Sequence, residues 1–169
     1  MNFNKIIENA RTSSFGMWKL NFLLQRFIPF NKPHNLKVIC IEPNKVQVKM
    51  PYIKSNLNHI KGLHACGLAT AAEYSSGLLL LSRLGMKKYR IIMESIEVKY
   101  FYQGKTDAIA TFELSDEEYQ TTVISAIEKD GIAYKVCTIH LHDSQQNLLC
   151  TAKTNWQIKS WDQVKTKLT

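Results

Sequence analysis

Cysteine is sparse and poorly spaced for chemistry of its own. Cys40, Cys66, Cys137 and Cys150 form no CxxC pair, which argues against a zinc knuckle or a thioredoxin-type centre. The opening residues, MNFNKIIENARTSS, are too polar for a secretory leader. Free thiols in a reducing cytoplasm are therefore expected, not disulfides. A long uninterrupted apolar run is also missing. The richest stretch, Leu63 to Leu84, contains His64, Glu73 and Arg83, and a mid-span carboxylate is expensive in lipid. A helix buried in protein is expected there, with no transmembrane segment. There is no internal repeat, low-complexity tract or nucleic-acid recognition motif. His140 and His142 alternate onto one strand face beside Asp143 and have no distant third ligand, so they read as a solvent-facing histidine pair and no metal is expected.

What is present is the composition of one soluble domain: 169 residues, 45% hydrophobic and 21% charged. The net charge of +8 suits anionic partners. The cations are scattered, however, and Lys87, Lys88 and Arg90 form the tightest group. Nucleic acid is accordingly the weakest of the partner readings. In residues 4–28, Ile6, Ile7, Ala10, Met17, Leu20, Leu24 and Phe27 recur at helical spacing. Pro29 and Pro33 end this region. Residues 1–33 are expected to form a helical segment packing on a main domain of residues 34–169. Arg11, Lys19 and Arg26 give the segment a second reading as a membrane-surface element.

Leu36 to Glu42 and Val46 to Tyr52 alternate around Pro43-Asn44 and predict a β-hairpin. The long helix follows a polar loop, with apolar residues on all sides and Gly85 as its stop. Strands are expected at 90–102, 105–114, 121–128, 132–142 and 148–159, with Asp130-Gly131 as a hairpin turn. The order is helix, hairpin, buried helix, then antiparallel strands. This predicts an α+β fold in which a curved sheet wraps one helix.

The run Asn58-His59-Ile60-Lys61-Gly62-Leu63-His64-Ala65, followed by Ala72-Glu73, resembles the hotdog-fold thioesterases of the phenylacetyl-CoA and hydroxybenzoyl-CoA groups. It looks nearest to the hotdog domains at the C-terminus of the YiiD acetyltransferase. The resemblance spans roughly residues 20–159 and implies a hotdog fold. It implies further that Glu73 is nucleophile or general base and that the Ala65 amide binds the thioester oxygen. Asn58 and His64 would orient the reactants, with Gly62 and Cys66 beside them. The chain departs from the usual pattern after the histidine, where Ala65-Cys66 stands in place of Gly-Gly.

On the residues alone, Glu73 is a carboxyl within an apolar helix, and desolvation raises such a group toward general-base range. The first amides of a helix favour an oxyanion. Cys66 offers a rival thiolate beside His64, but residues two apart on a helix do not face each other. Its thiol reads as an inert core side chain. Arg83, Lys87, Lys88 and Arg90 are candidates for coenzyme A phosphates. Ala65 and Glu73 lie eight residues apart, about 12 Å at the helical rise. One thioester carbon cannot meet both from one chain, so a homodimer or dimer of dimers is expected. The expected function is hydrolysis of acyl-CoA or acyl-carrier thioesters, with no cofactor beyond coenzyme A as part of the substrate. The alternative is a non-catalytic acyl-thioester binding module.

Overall fold

A computed structural model describes residues 3–164. Two helices open the chain, α1 (Phe3–Thr12) and α2 (Ser14–Phe27), separated by Ser13, whose hydroxyl caps α2 by accepting from the Gly16 amide. They bury Ile6, Ile7, Ala10, Leu20 and Leu24 in the same core as the rest of the chain. The hairpin β1 (Lys37–Ile41) and β2 (Lys45–Met50) follows. Then comes the long helix α3 (Ala65–Leu84), capped by His64 and ended by Gly85 at φ +75°. Strands β3 (Tyr89–Tyr100), β4 (Ala108–Glu113), β5 (Ile132–Asp143) and β6 (Leu148–Ser160) complete the sheet.

The six strands run in the order β1-β2-β4-β5-β6-β3, and every pairing is antiparallel. Irregularities in register after Val38, Met93 and Leu141 bend the sheet. One face of the sheet is inward from β1 through β6, while β3 at the edge is only partly covered. Val46, Val48 and Met50 of β2 point in, as do Ala133, Cys137, Ile139 and Leu141 of β5 and Ala152, Trp156 and Ile158 of β6. The helix meets them with small residues, Gly67, Ala71, Ala72, Ser75 and Ser76, and the Met50 side chain packs against Gly67. Small residues on α3 let it sit close in the curve of the sheet. This is the hotdog arrangement, as the resemblance implies.

A strand expected at 121–128 is not formed. Asp116–Tyr119 (α4), a π-helical turn at Gln120–Ile124 and Ser125–Asp130 (α5) make a helical segment instead. Ser115 starts it by accepting from the Glu118 amide, and Gly131 ends it at φ +70°. Asp130-Gly131 is therefore a helix stop and not a hairpin turn. The β-branched run Thr121-Thr122-Val123-Ile124 suggested a strand, and the flanking cap signals overrode that preference. Inside this segment Glu118 reaches the ammonium of Lys135, a buried cation on the inner face of β5.

The two sheet edges differ. At β1, the side chain of Asn21 on α2 behaves like a neighbouring strand. Its Oδ1 accepts from Val38 N at 2.8 Å, and its Nδ2 donates to Val38 O at 2.9 Å. At β3 one side pairs with β6 and the other has no strand beside it among the described residues. Ile92, Ile96 and Tyr100 are exposed along it.

Candidate active site

Asn58 lies in the loop before α3. Its Oδ1 accepts from the amides of Ile60 at 3.1 Å and Gly62 at 2.9 Å, and its own amide donates to Gly62 O at 2.8 Å. The Asn58 side chain thus closes a local turn. The buried asparagine of this region is Asn56. It holds His34 Nδ1 at 3.0 Å and donates to the carbonyls of His34 and Pro51. Its own carbonyl accepts from His64 N. The start of α3 is therefore tied to the chain leaving α2.

His64 is exposed and caps the helix, its Nδ1 accepting from the Cys66 amide at 3.1 Å. A ring nitrogen that accepts there carries its proton on Nε2, so the free edge of His64 is a donor. The His64 carbonyl accepts from the amides of Gly67 and Leu68. The Ala65 amide stands outside these bonds, at the positive end of α3. Tyr100 from β3 donates to the Ala65 carbonyl at 2.8 Å. Cys66 is exposed, not a core side chain, because it lies on the incompletely covered face of α3 while Gly67 and Leu68 beside it are buried. Its thiol lies with His64, Thr70, Phe30 and His34 along a cleft of about 230 Å³.

Glu73 stands two turns further on. It opens into a second cleft, of about 160 Å³, whose other walls are Leu24, Ile28, Tyr74, Gly77, Ile91 and Trp156 among others. Its carboxylate has no hydrogen bond or ion pair among the described residues, and burial pushes its pKa up. The same burial, with the Glu73 charge beside it, pushes Tyr74 up. Beneath the slot, Trp156 donates to Ser76 Oγ at 3.1 Å and Thr154 Oγ1 at 2.9 Å. These bonds fix the indole as a floor. Cys66, Thr70, Glu73 and Gly77 follow one another at helical spacing, so the two clefts share one incompletely covered stripe of α3.

The structure does not bring Glu73 to Ala65 within one chain, since both belong to one straight count of helical residues. Nor does it gather all the expected phosphate ligands. Arg83 donates to Leu114 O at 2.9 Å and to Asp116 Oδ1 at 2.7 Å, and its guanidinium stacks on Tyr119 at 3.8 Å. It joins α3 to α4. Arg90 donates to Gln157 across the β3–β6 pair at 2.9 Å. Lys87 and Lys88 are exposed beside a broad cleft with Phe3, Asn4 and Gly85. His140 Nδ1 meets Thr151 Oγ1 at 3.1 Å on the outer sheet face.

The slot walls from α2, β3 and β6 carry no local sequence signal, because they meet Glu73 only after folding. Asn56 carries no local signal either, since its partners lie up to 22 residues away.

Helix, sheet and open stripe define a hotdog-fold protein, and known structures agree. A protein of unknown function from Pseudomonas aeruginosa, named a probable thioesterase, is 24% identical, with a TM-score of 0.77 over 85% of this chain and 95% of its own. A thioesterase from Haemophilus influenzae is 12% identical, with a TM-score of 0.69 over 93% of this chain and 99% of its own. A mutant thioesterase from Pseudomonas aeruginosa is 10% identical, with a TM-score of 0.68 over 89% and 99%. No curated protein sequence matches. Residues 16–158 match the family described as a domain of unknown function, DUF4442. The chain belongs to that family. No helix among the described residues is long and apolar enough to cross a membrane.

Proposed function

We propose that this protein hydrolyses acyl thioesters at a composite site formed by two copies of the chain. The observation that carries the reading is the Glu73 carboxylate, unpartnered within an apolar slot. Buried ionisable groups without structural partners are costly and concentrate at functional sites. The names of the similar structures support the same reaction class.

The missing half of the site has a natural source. Two α3 helices packed antiparallel along the stripe, crossing near Ala69-Thr70, set Glu73 of one copy opposite residues 65–66 of the other. Ala69 on the stripe is small and permits close approach. The open β3 edge supplies a pairing surface beside it. In that arrangement Glu73 takes a proton from water as the water oxygen bonds the thioester carbonyl carbon. The Ala65 N–H of the second copy accommodates the developing oxyanion, and His64 Nε2–H donates to the substrate. Cleavage of the C–S bond sends the electron pair to sulfur, and the proton on Glu73 passes to the departing thiolate. Asn58 keeps the Gly62 turn in shape below these groups. Lys87 is the exposed cation offered to coenzyme A phosphates, with Lys88 beside it over the Tyr89 ring.

Mixing inactive variants tests this directly. Glu73→Gln and His64→Ala should each lose turnover of acyl-CoA substrates alone. After subunit exchange, the mixture should recover about a quarter of wild-type activity, since half the dimers then hold one intact site. Inactive singles with no recovery overturn the composite site. Full activity in Glu73→Gln overturns the chemistry.

A further inference from the structure

Helix α2 presents an aromatic face to solvent. Phe15, Trp18 and Phe22 are 71%, 60% and 57% exposed, and their rings stack in sequence at centroid distances of 5.6 and 5.8 Å. Their spacing places them on one stripe, and Lys19 and Arg26 fall on the same side. Leu20 and Leu24 occupy the opposite side and are buried. Phe27 at the end of the helix and Phe30 beyond it are exposed as well. The helix is held firmly: Asn21 bonds Val38 of β1 through both backbone groups.

We propose that this face docks on an anionic phospholipid bilayer. Soluble domains seldom leave stacked aromatic rings in water without a partner. The partner's chemistry follows from charge. From Asn9 to Ile41 the sequence contains no aspartate or glutamate, while Arg11, Lys19, Arg26, Lys32 and Lys37 are all cations. Lys19, Arg26 and Lys32 make no ion pair among the described residues. Arg26 and Lys32 flank an open groove of about 300 Å³ beside Phe22. Tryptophan and phenylalanine with flanking lysine and arginine match the two zones of a bilayer surface, acyl boundary and anionic headgroup. A second copy of the chain fits the face poorly. A two-fold contact would set Lys19 and Arg26 against their own equivalents. The proposal does not depend on the thioesterase reading, because it is tested without any thioester.

Flotation with phosphatidylcholine vesicles containing about a third phosphatidylglycerol tests it. The full-length protein should float with these vesicles, not with pure phosphatidylcholine, and lose binding as salt rises. Trp18→Ser/Phe22→Ser should weaken binding about tenfold or more, and so should Lys19→Glu/Arg26→Glu. Both variants should keep the wild-type circular dichroism, since all four side chains are exposed. Brominated lipid should quench tryptophan emission in the wild type. Trp18→Phe should lose that quenching and still float. No flotation, or flotation untouched by the aromatic variant, overturns the proposal. So does light scattering in which the aromatic variant changes the oligomeric state, because the face would then be a contact between copies.

Discussion

Replacing Glu73 with glutamine should remove turnover and raise stability together. Glutamine keeps the volume and removes the charge, and the slot offers the carboxylate no donor or cation. Burial raises the folded-state pKa of Glu73 above its ordinary value, while the unfolded value stays ordinary. The folded state therefore holds its proton more tightly. The stability that this provides is complete below the unfolded pKa and is lost as pH rises through the folded one. The slope in that window is at most about 1.4 kcal/mol per pH unit. Above the window the wild type holds an ionised, poorly solvated carboxylate. The amide is also unbonded there, so the gain at neutral pH is the charge part alone, about 1 kcal/mol. In a domain of this size that is a rise of about 2–4 °C in Tm. Urea unfolding of both proteins between mildly acidic and neutral pH measures it. The two curves should converge in acid and separate toward neutrality, with the glutamine variant above. A variant less stable at every pH would mean that the carboxylate has a bonding partner, and the account of the slot would fail.

Turnover itself should rise with pH to a plateau, with a midpoint above the ordinary carboxyl value, because the base must be ionised. A midpoint at or below that value refutes Glu73 as the base. Gly77→Ala brings a Cβ to 2.7 Å from the Trp156 indole, which its two hydrogen bonds hold in place. Overpacking of about 1–3 kcal/mol should outweigh the helix preference of alanine, about 1 kcal/mol. Calorimetry should show a net loss and tryptophan emission should shift; a more stable protein with an unchanged spectrum contradicts this packing. Cys66→Ser should abolish the fastest reaction with a thiol reagent and leave turnover in place, whereas burial pushes the Cys137 and Cys150 thiols up to about 12. Ser115→Ala should cost about 1 kcal/mol in chemical unfolding through loss of the α4 cap; no change would show the cap to be idle.

Much of the fold was legible because its signals are local. The α3 helix announces itself by length and by Gly85, and β2 by strict alternation from Val46 to Met50. The strand expected at 121–128 rests on Asp130-Gly131 as a hairpin turn, whereas the same pair ends a helix that Ser115 begins. Glu73 was legible as a charge out of place on an apolar helix. Its surroundings were not: Leu24, Ile91 and Trp156 approach it from three distant elements. Exposure of Cys66 was equally hidden, since it depends on which face of α3 the rest of the chain covers. Arg83 read as a free cation because Asp116 and Leu114 lie more than 30 residues downstream.

The amide of Asn21 has a consequence for assembly. By occupying both backbone groups of Val38 it blocks the addition of a strand at that point of β1, and leaves β3 as the edge with no such cover among the described residues. Open sheet edges are templates for pairing with another chain. Blocking one of them halves the routes by which sheets can join edge to edge. One side chain on a neighbouring helix thereby limits how far the sheet can extend.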